Sequence, residues 1–221
     1  MGENFFEGKD FNGIDFKALI PKYYPGDYRA YIEEETNLLK SKVANSNKIL
    51  EAGVGIGRLI PELAPIVTEF IGVDNAQLML NESKMMARRF SNVKIVECDL
   101  EKIDQIFSKN YFDFSLCVWN TLGNVKDEVQ VLRALSFVTI KSIFITVYLK
   151  GTVEQRKNWY RTVGIDIHKI DEKNEIFYSK SGLKSKSYSL EDIKKIADKS
   201  NIKVKDCKIL NKVILWVELI K

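Results

Sequence analysis

Apolar residues follow two alternating rhythms along this chain of 221 residues. Short apolar runs at 47–52, 68–73, 92–97, 111–118 and 141–149 read as buried strands. Helical spacing fills the intervals. Over 27–43 it places Tyr28, Tyr31, Ile32, Leu38 and Leu39 on one side, and helices follow at 58–67, 76–90 and 126–138, with a brief helical piece near 101–108. Strands alternating with helices predict a mostly parallel sheet covered on both faces, and right-handed crossovers make it doubly wound. After residue 149 the rhythm changes. A helix over 152–163 precedes two or three short strands in 165–188, turning at Glu172-Lys173-Asn174 and Ser181-Gly182. Ser189 then caps a helix over 190–200, with Asp192 completing a weak capping box. The last runs, 202–210 and 213–220, are joined by so short a link that they must be antiparallel. The expectation is a single α/β domain over 1–221, its seven-stranded sheet ending in an antiparallel strand. An N-terminal helical segment (1–45) and a small β-containing insertion (150–188) are added to it.

Composition narrows the chemistry. His168 is the single histidine, which excludes a two-histidine metal site and makes any histidine-based triad depend on one residue. Cys98, Cys117 and Cys207 are scattered, with no CxxC pair, and read as free thiols, so no metal is expected. Cys117 lies inside a strand rather than beyond it and reads as a small buried residue. The start, Met1 to Phe6, has neither a basic nor an apolar leader region, and no apolar run reaches membrane-spanning length. A cytoplasmic protein without membrane partners is expected. Residues 1–149 carry 17 basic and 20 acidic groups, a balance of −3; residues 150–221 carry 17 and 10, a balance of +7. The basic excess is mostly lysine without interleaved aromatics, which favours a solvated surface over a nucleic-acid patch.

The strongest local feature is Ile49-Leu50-Glu51-Ala52-Gly53-Val54-Gly55-Ile56-Gly57-Arg58. A strand ends in an acid, three glycines follow at spacing two, and a helix begins. Glycines let the chain turn tightly and let a ligand approach the backbone. The spacing is not the GxGxxG of dinucleotide-binding folds. Asp74 closes the second strand, where a carboxylate suits a ribose diol. Asp99 and Leu100 follow the third strand, and Trp119-Asn120-Thr121-Leu122-Gly123-Asn124 run off the fourth. All lie at carboxyl ends of neighbouring strands, where open α/β sheets bind ligands.

Together, ILEAGVGIGRL, GVDNAQLML, VECDL, FDFSLCVWNTLGN and the antiparallel terminal strand resemble the class I S-adenosylmethionine-dependent methyltransferases. The resemblance covers about residues 45–149 and 189–221 and implies their Rossmann-like fold. It implies S-adenosylmethionine as cofactor and S-adenosylhomocysteine as product. It places Glu51, Gly53 and Gly55 around the methionine moiety, Asp74 on the ribose, and Asn75 and Ala76 beside the adenine. Asp99 and Leu100 fall at the adenine, and Trp119 and Asn120 along the cofactor near the substrate mouth. The family more often has Asp at the position of Glu51.

Methyl transfer from a sulfonium is an in-line displacement that positioning alone can accelerate, so a dedicated base is optional. Tyr24, Tyr28, Asn120 and His168 are the catalytic candidates. The expected reaction is methylation of an N or O atom of a small-molecule acceptor. The competing readings are an RNA or protein methyltransferase using the basic C-terminal third, and a non-catalytic cofactor-binding module. Acceptor specificity is expected from two places: the tyrosines Tyr23, Tyr24, Tyr28 and Tyr31, as an aromatic lid or as core packing, and the insertion, where Arg156, Arg161 and Lys184 are candidates for binding an anionic group.

Overall fold

The computed structural model describes Phe6 and residues 24–221. Residues 1–5 and 7–23 of the N-terminal segment, Tyr23 included, lie outside the described residues. Seven strands form one sheet: β1 (Lys48–Ala52), β2 (Glu69–Asp74), β3 (Val93–Glu97), β4 (Phe112–Cys117), β5 (Thr139–Tyr148), β9 (Lys203–Leu210) and β10 (Ile214–Ile220). Their order is β3-β2-β1-β4-β5-β10-β9, and β10 alone runs against the rest. The order reverses between β1 and β4, so the carboxyl ends of those strands border the crevice where such sheets take ligands.

Helices cover both faces. On one lie α1 (Gly26–Val43), α2 (Ile60–Leu63), α3 (Gln77–Ala87) and α6 (Val153–Thr162); on the other, α4 (Ile103–Ile106), α5 (Glu128–Val138) and α7 (Leu190–Lys199). The sequence pattern explains the seating. In α5, Val131, Leu132, Ala134, Leu135 and Val138 form a buried stripe at 3.6-residue spacing. In α1 the buried stripe is Tyr28, Tyr31, Ile32, Glu35, Leu39 and Val43, and the carboxylate within it returns below.

Two boundaries differ from the sequence pattern. The helix expected over 58–67 is α2 followed by a 3-10 turn, Ala64–Ile66, because Pro65 has no N–H for the next helical hydrogen bond. β5 begins at Thr139, directly after α5, whose last turn Thr139 closes by donating its hydroxyl to the Leu135 carbonyl at 2.6 Å. The capping box is complete: Asp192 N donates to Ser189 Oγ at 3.1 Å, and Ser189 N to Asp192 Oδ2 at 2.9 Å.

The insertion is α6 and a separate antiparallel sheet of β6 (Ile167–Asp171), β7 (Ile176–Ser179) and β8 (Lys184–Lys186). It is tied to the end of β5, where Tyr188 N donates to Tyr148 O and Lys150 N to Tyr188 O. A Cβ on Gly123 would meet the Lys186 carbonyl at 2.6 Å, so this glycine lets the turn after β4 abut β8. Among the described residues no helix is long and apolar enough to cross a membrane.

Candidate cofactor and acceptor site

The glycine loop is fixed from below and open above. Gly53 N and Val54 N both donate to Val73 O, pinning the loop to the end of β2. Gly53, Gly55 and Gly57 have φ of +81°, +54° and +83°, a region that other residues enter at a cost. A Cβ on Gly53 would strike Thr121 at 2.5 Å, whereas one on Gly55 meets nothing within 4 Å. The loop is therefore packed at its first glycine and free at its second.

Asp74 holds that second glycine. Its Oδ2 accepts from Gly55 N at 2.9 Å, and its Oδ1 from Asn75 N and Ala76 N at 2.9 and 3.1 Å. Asp99 is exposed, caps the following 3-10 turn by accepting from Glu101 N at 3.2 Å, and precedes the buried Leu100. Asn75 is exposed and Ala76 buried beside it.

Glu51 stands apart. It is 3% exposed, and its Oε2 has no hydrogen-bond partner. Burial pushes its carboxyl up to about 8; Arg58 opposes this, and Glu35 and Asp74 reinforce it. Arg58 itself is committed to Glu35, donating to Oε2 at 2.5 Å, and Glu35 Oε1 accepts from Tyr31 at 2.8 Å and Thr146 at 2.5 Å. This buried network ties α1 to the glycine loop and to β5. Glu35 was missed in the sequence, although it sits seven residues after Tyr28 on the apolar stripe, where a carboxylate must find a partner.

The fourth strand ends in two consecutive left-handed residues, Trp119 and Asn120, both at φ 56°. Strained non-glycine backbone of this kind collects at functional sites. Trp119 N donates to Thr146 Oγ1 at 2.8 Å. Asn120 is buried, with Oδ1 accepting from Tyr148 N at 3.0 Å and Nδ2 donating to Ser185 at 3.1 Å. Its amide therefore joins β4, β5 and the insertion.

Trp119 is where the two acceptor-side candidates meet. Tyr24 and Tyr31 stack on it at 5.2 and 5.5 Å, and Trp159 of α6 meets it edge-on at 5.8 Å. Trp159 in turn stacks on Tyr28 at 5.1 Å and takes Tyr24 edge-on at 4.4 Å. Burial raises the hydroxyls of Tyr24, Tyr28 and Tyr31 above the usual phenol range, so all three remain donors at neutral pH. His168 is exposed on β6, at the edge of the outer sheet, and Arg161 is exposed, while Arg156 is fully buried. Burial also pushes the Cys98 and Cys117 thiols up to about 11 and about 12, which leaves them protonated and weakly nucleophilic.

Comparisons with known proteins agree with this arrangement. Residues 49–139 match the family model described as a methyltransferase domain. No curated protein matches the chain by sequence. Among solved structures, magnesium protoporphyrin IX methyltransferase from Synechocystis PCC 6803 with bound SAM aligns at TM-score 0.66 and 14% identity, over 98% of this chain and 93% of that one. The CcbJ methyltransferase of Streptomyces caelestis aligns at 0.67 and 16%, over 89% and 98%. The 1,6-didemethyltoxoflavin-N1-methyltransferase of Burkholderia thailandensis, with 1,6-didemethyltoxoflavin and S-adenosylhomocysteine bound, aligns at 0.65 and 12%, over 87% and 79%. The donor set fits S-adenosylmethionine: an unpartnered buried carboxylate beside an open glycine suits an amino-acid end, and an acid closing β2 suits a ribose diol. The sheet order, the glycine loop and the family match together identify residues 49–139 as a methyltransferase domain, carried on the class I S-adenosylmethionine-dependent methyltransferase fold.

Proposed function

We propose that this protein transfers a methyl group from S-adenosylmethionine to an N or O atom of a small-molecule acceptor. The carrying observation is the convergence of α1 and α6 on Trp119. Tyr24, Tyr28, Tyr31 and Trp159 are buried and pack on one another and around Trp119, which alone of the five is partly exposed. That partly exposed ring at the end of β4 suits a small planar or apolar molecule, whereas a folded polymer needs an open face. The similar toxoflavin-type enzyme, whose structure holds its small-molecule substrate, supports the same reading.

In this reading Glu51 and Gly55 receive the methionine end, Asp74 the ribose, and Asn75, Asp99 and Leu100 the adenine. Trp119 and Asn120 border the acceptor. The cofactor, when bound, supplies a methyl group on a positively charged sulfur. The chain's part is to align the acceptor and exclude water, and the rings around Trp119 do both. The Tyr28 hydroxyl, protonated and without a partner, is the donor left to orient the acceptor, since Tyr31 already donates to Glu35. Residues 1–45 and 150–188 are then the acceptor-side additions to one domain. Of the lysines in the basic C-terminal third, Lys150, Lys180, Lys186 and Lys205 are paired with Asp192, Asp166, Glu128 and Glu218.

The test is a transfer assay with the labelled methyl donor against cell extract separated into metabolites, RNA and protein. Label in the metabolite fraction is expected. Label confined to RNA or protein overturns the reading.

A further inference from the structure

Arg156 on α6 is fully buried, and its recorded hydrogen-bond partners are all uncharged. Its Nη1 donates to Glu175 O at 3.0 Å, and its Nη2 to Ser185 O at 2.7 Å and Ser185 Oγ at 3.2 Å. Its Nε is buried and has no partner. The guanidinium lies 4.1 Å from the ring centre of Phe177, 4.8 Å from that of Tyr148 and 5.9 Å from that of Tyr160. Ring faces soften the burial of a cation but do not neutralise it. Removing a charge from water while leaving one donor unmet is the arrangement that a bound anion completes.

A second unmet donor borders the same ring. Tyr28 is 1% exposed, and its hydroxyl has no partner. Its ring meets Tyr148 edge-on at 6.1 Å and stacks on Trp159, three residues after Arg156. Burial and the neighbouring Tyr160 raise this hydroxyl, Arg156 lowers it, and the net effect keeps it protonated. Tyr148 itself is held by Asn120, next to Trp119. The two donors therefore flank the acceptor side of the proposed site.

We infer that the methyl acceptor carries a carboxylate, held by Arg156 Nε–H and Tyr28 O–H against the Tyr148 ring. This rests on the small-molecule reading above. One positive charge beside the unmet Nε–H and the Tyr28 hydroxyl calls for a small anion, and the test below separates a carboxylate from a phosphate.

The test passes a metabolite extract over an anion exchanger and assays each fraction with the labelled methyl donor, before and after esterification in acidic methanol. Acceptor activity is expected in the retained fraction and should vanish on esterification, which blocks carboxylates and spares phosphates. Acceptor activity in the unretained fraction overturns the inference while leaving small-molecule transfer intact. Retained activity that survives esterification overturns the carboxylate. Label only in RNA or protein, or in no fraction, overturns the inference and the reading beneath it. With the retained acceptor, Tyr28→Phe should raise KM about tenfold, the loss of one hydrogen bond to a charged group, with S-adenosylhomocysteine affinity and Tm unchanged. An unchanged KM assigns Arg156 only to stapling β7 and β8. Arg156→Gln should raise KM further; where it fails to fold, Tyr28→Phe decides the question.

Discussion

Two buried glutamates share one row of the sheet and meet opposite fates. Glu51 on β1 is level with Leu116 on β4, which is level with Phe144 on β5, which is level with Glu218 on β10. Both carboxylates face the side covered by α1, at 3% and 2% exposure. Glu218 is surrounded by donors: Lys42 at 2.8 Å, Lys205 at 2.7 Å and Ser142 at 2.8 Å. Burial alone would raise it, but the hydrogen bonds from Lys205, Lys42 and Ser142 outweigh that and hold it at about 2. Glu51 has only the indirect help of Arg58, which is already spent on Glu35, and is pushed up to about 8. Solvent exposure is nearly the same, and Glu218 has the direct donors that Glu51 lacks. Glu218 clips α1 and the terminal hairpin to β5. Glu51 Oε2 has no partner among the described residues, which suits the cofactor contact proposed for it.

This contrast predicts opposite signs on mutation. For Glu51 the folded carboxyl is raised above its unfolded value of 4.5, so stability is full below pH 4.5 and is lost as pH rises through 8. Glu51→Gln should remove that loss. Its stability relative to the native protein should grow by about 1.4 kcal/mol per pH unit between those limits, on the order of 5 kcal/mol in all. Denaturant unfolding across pH measures this directly. The same variant should bind S-adenosylhomocysteine more weakly, which would make it more stable and less functional at once. A flat pH difference would place Glu51 with the structural acids.

Asp74 joins both roles, since it holds Gly55 N and is proposed to receive the ribose. Asp74→Ala should lower cofactor affinity at least ~100-fold and cost about 1–2 kcal/mol of stability. Calorimetric titration and thermal unfolding separate the two effects. Glu218→Gln should give the smallest change, a loss of about 1–2 kcal/mol at pH 7, because the Lys42 and Lys205 side chains are 32% and 53% exposed and can return to water. The Glu218 contribution is present above pH 4.5 and fades as pH falls toward 2, so the variant and the native protein should converge in acid. Its cofactor affinity should not change.

Local chemistry made much of this legible before the structure. Strand periodicity marked every strand of the sheet, and Gly53, Gly55 and Gly57 announced a turn that the φ values confirm. What stayed hidden depends on contacts between distant segments. Glu35 drew no attention in the sequence, because two of its partners lie 23 and 111 residues away in Arg58 and Thr146. Arg156 read as one of several basic residues in the insertion, yet it is buried while Arg161 is exposed, since only α6's orientation chooses between them. The stacking of Tyr24, Tyr31 and Trp159 around Trp119 joins three segments that no local pattern links.

The central claim is that the open face of the glycine loop is the cofactor site. Gly55 tests it most directly, because a Cβ there meets nothing within 4 Å among the described residues and points toward the proposed site. Its φ of +54° adds strain of about 1–2 kcal/mol, which the fold should survive. Calorimetric titration of S-adenosylhomocysteine should give one site per chain in the native protein and no measurable binding in Gly55→Val, with unchanged far-UV circular dichroism. A native chain that does not bind, or a folded Gly55→Val that binds equally well, would contradict the account.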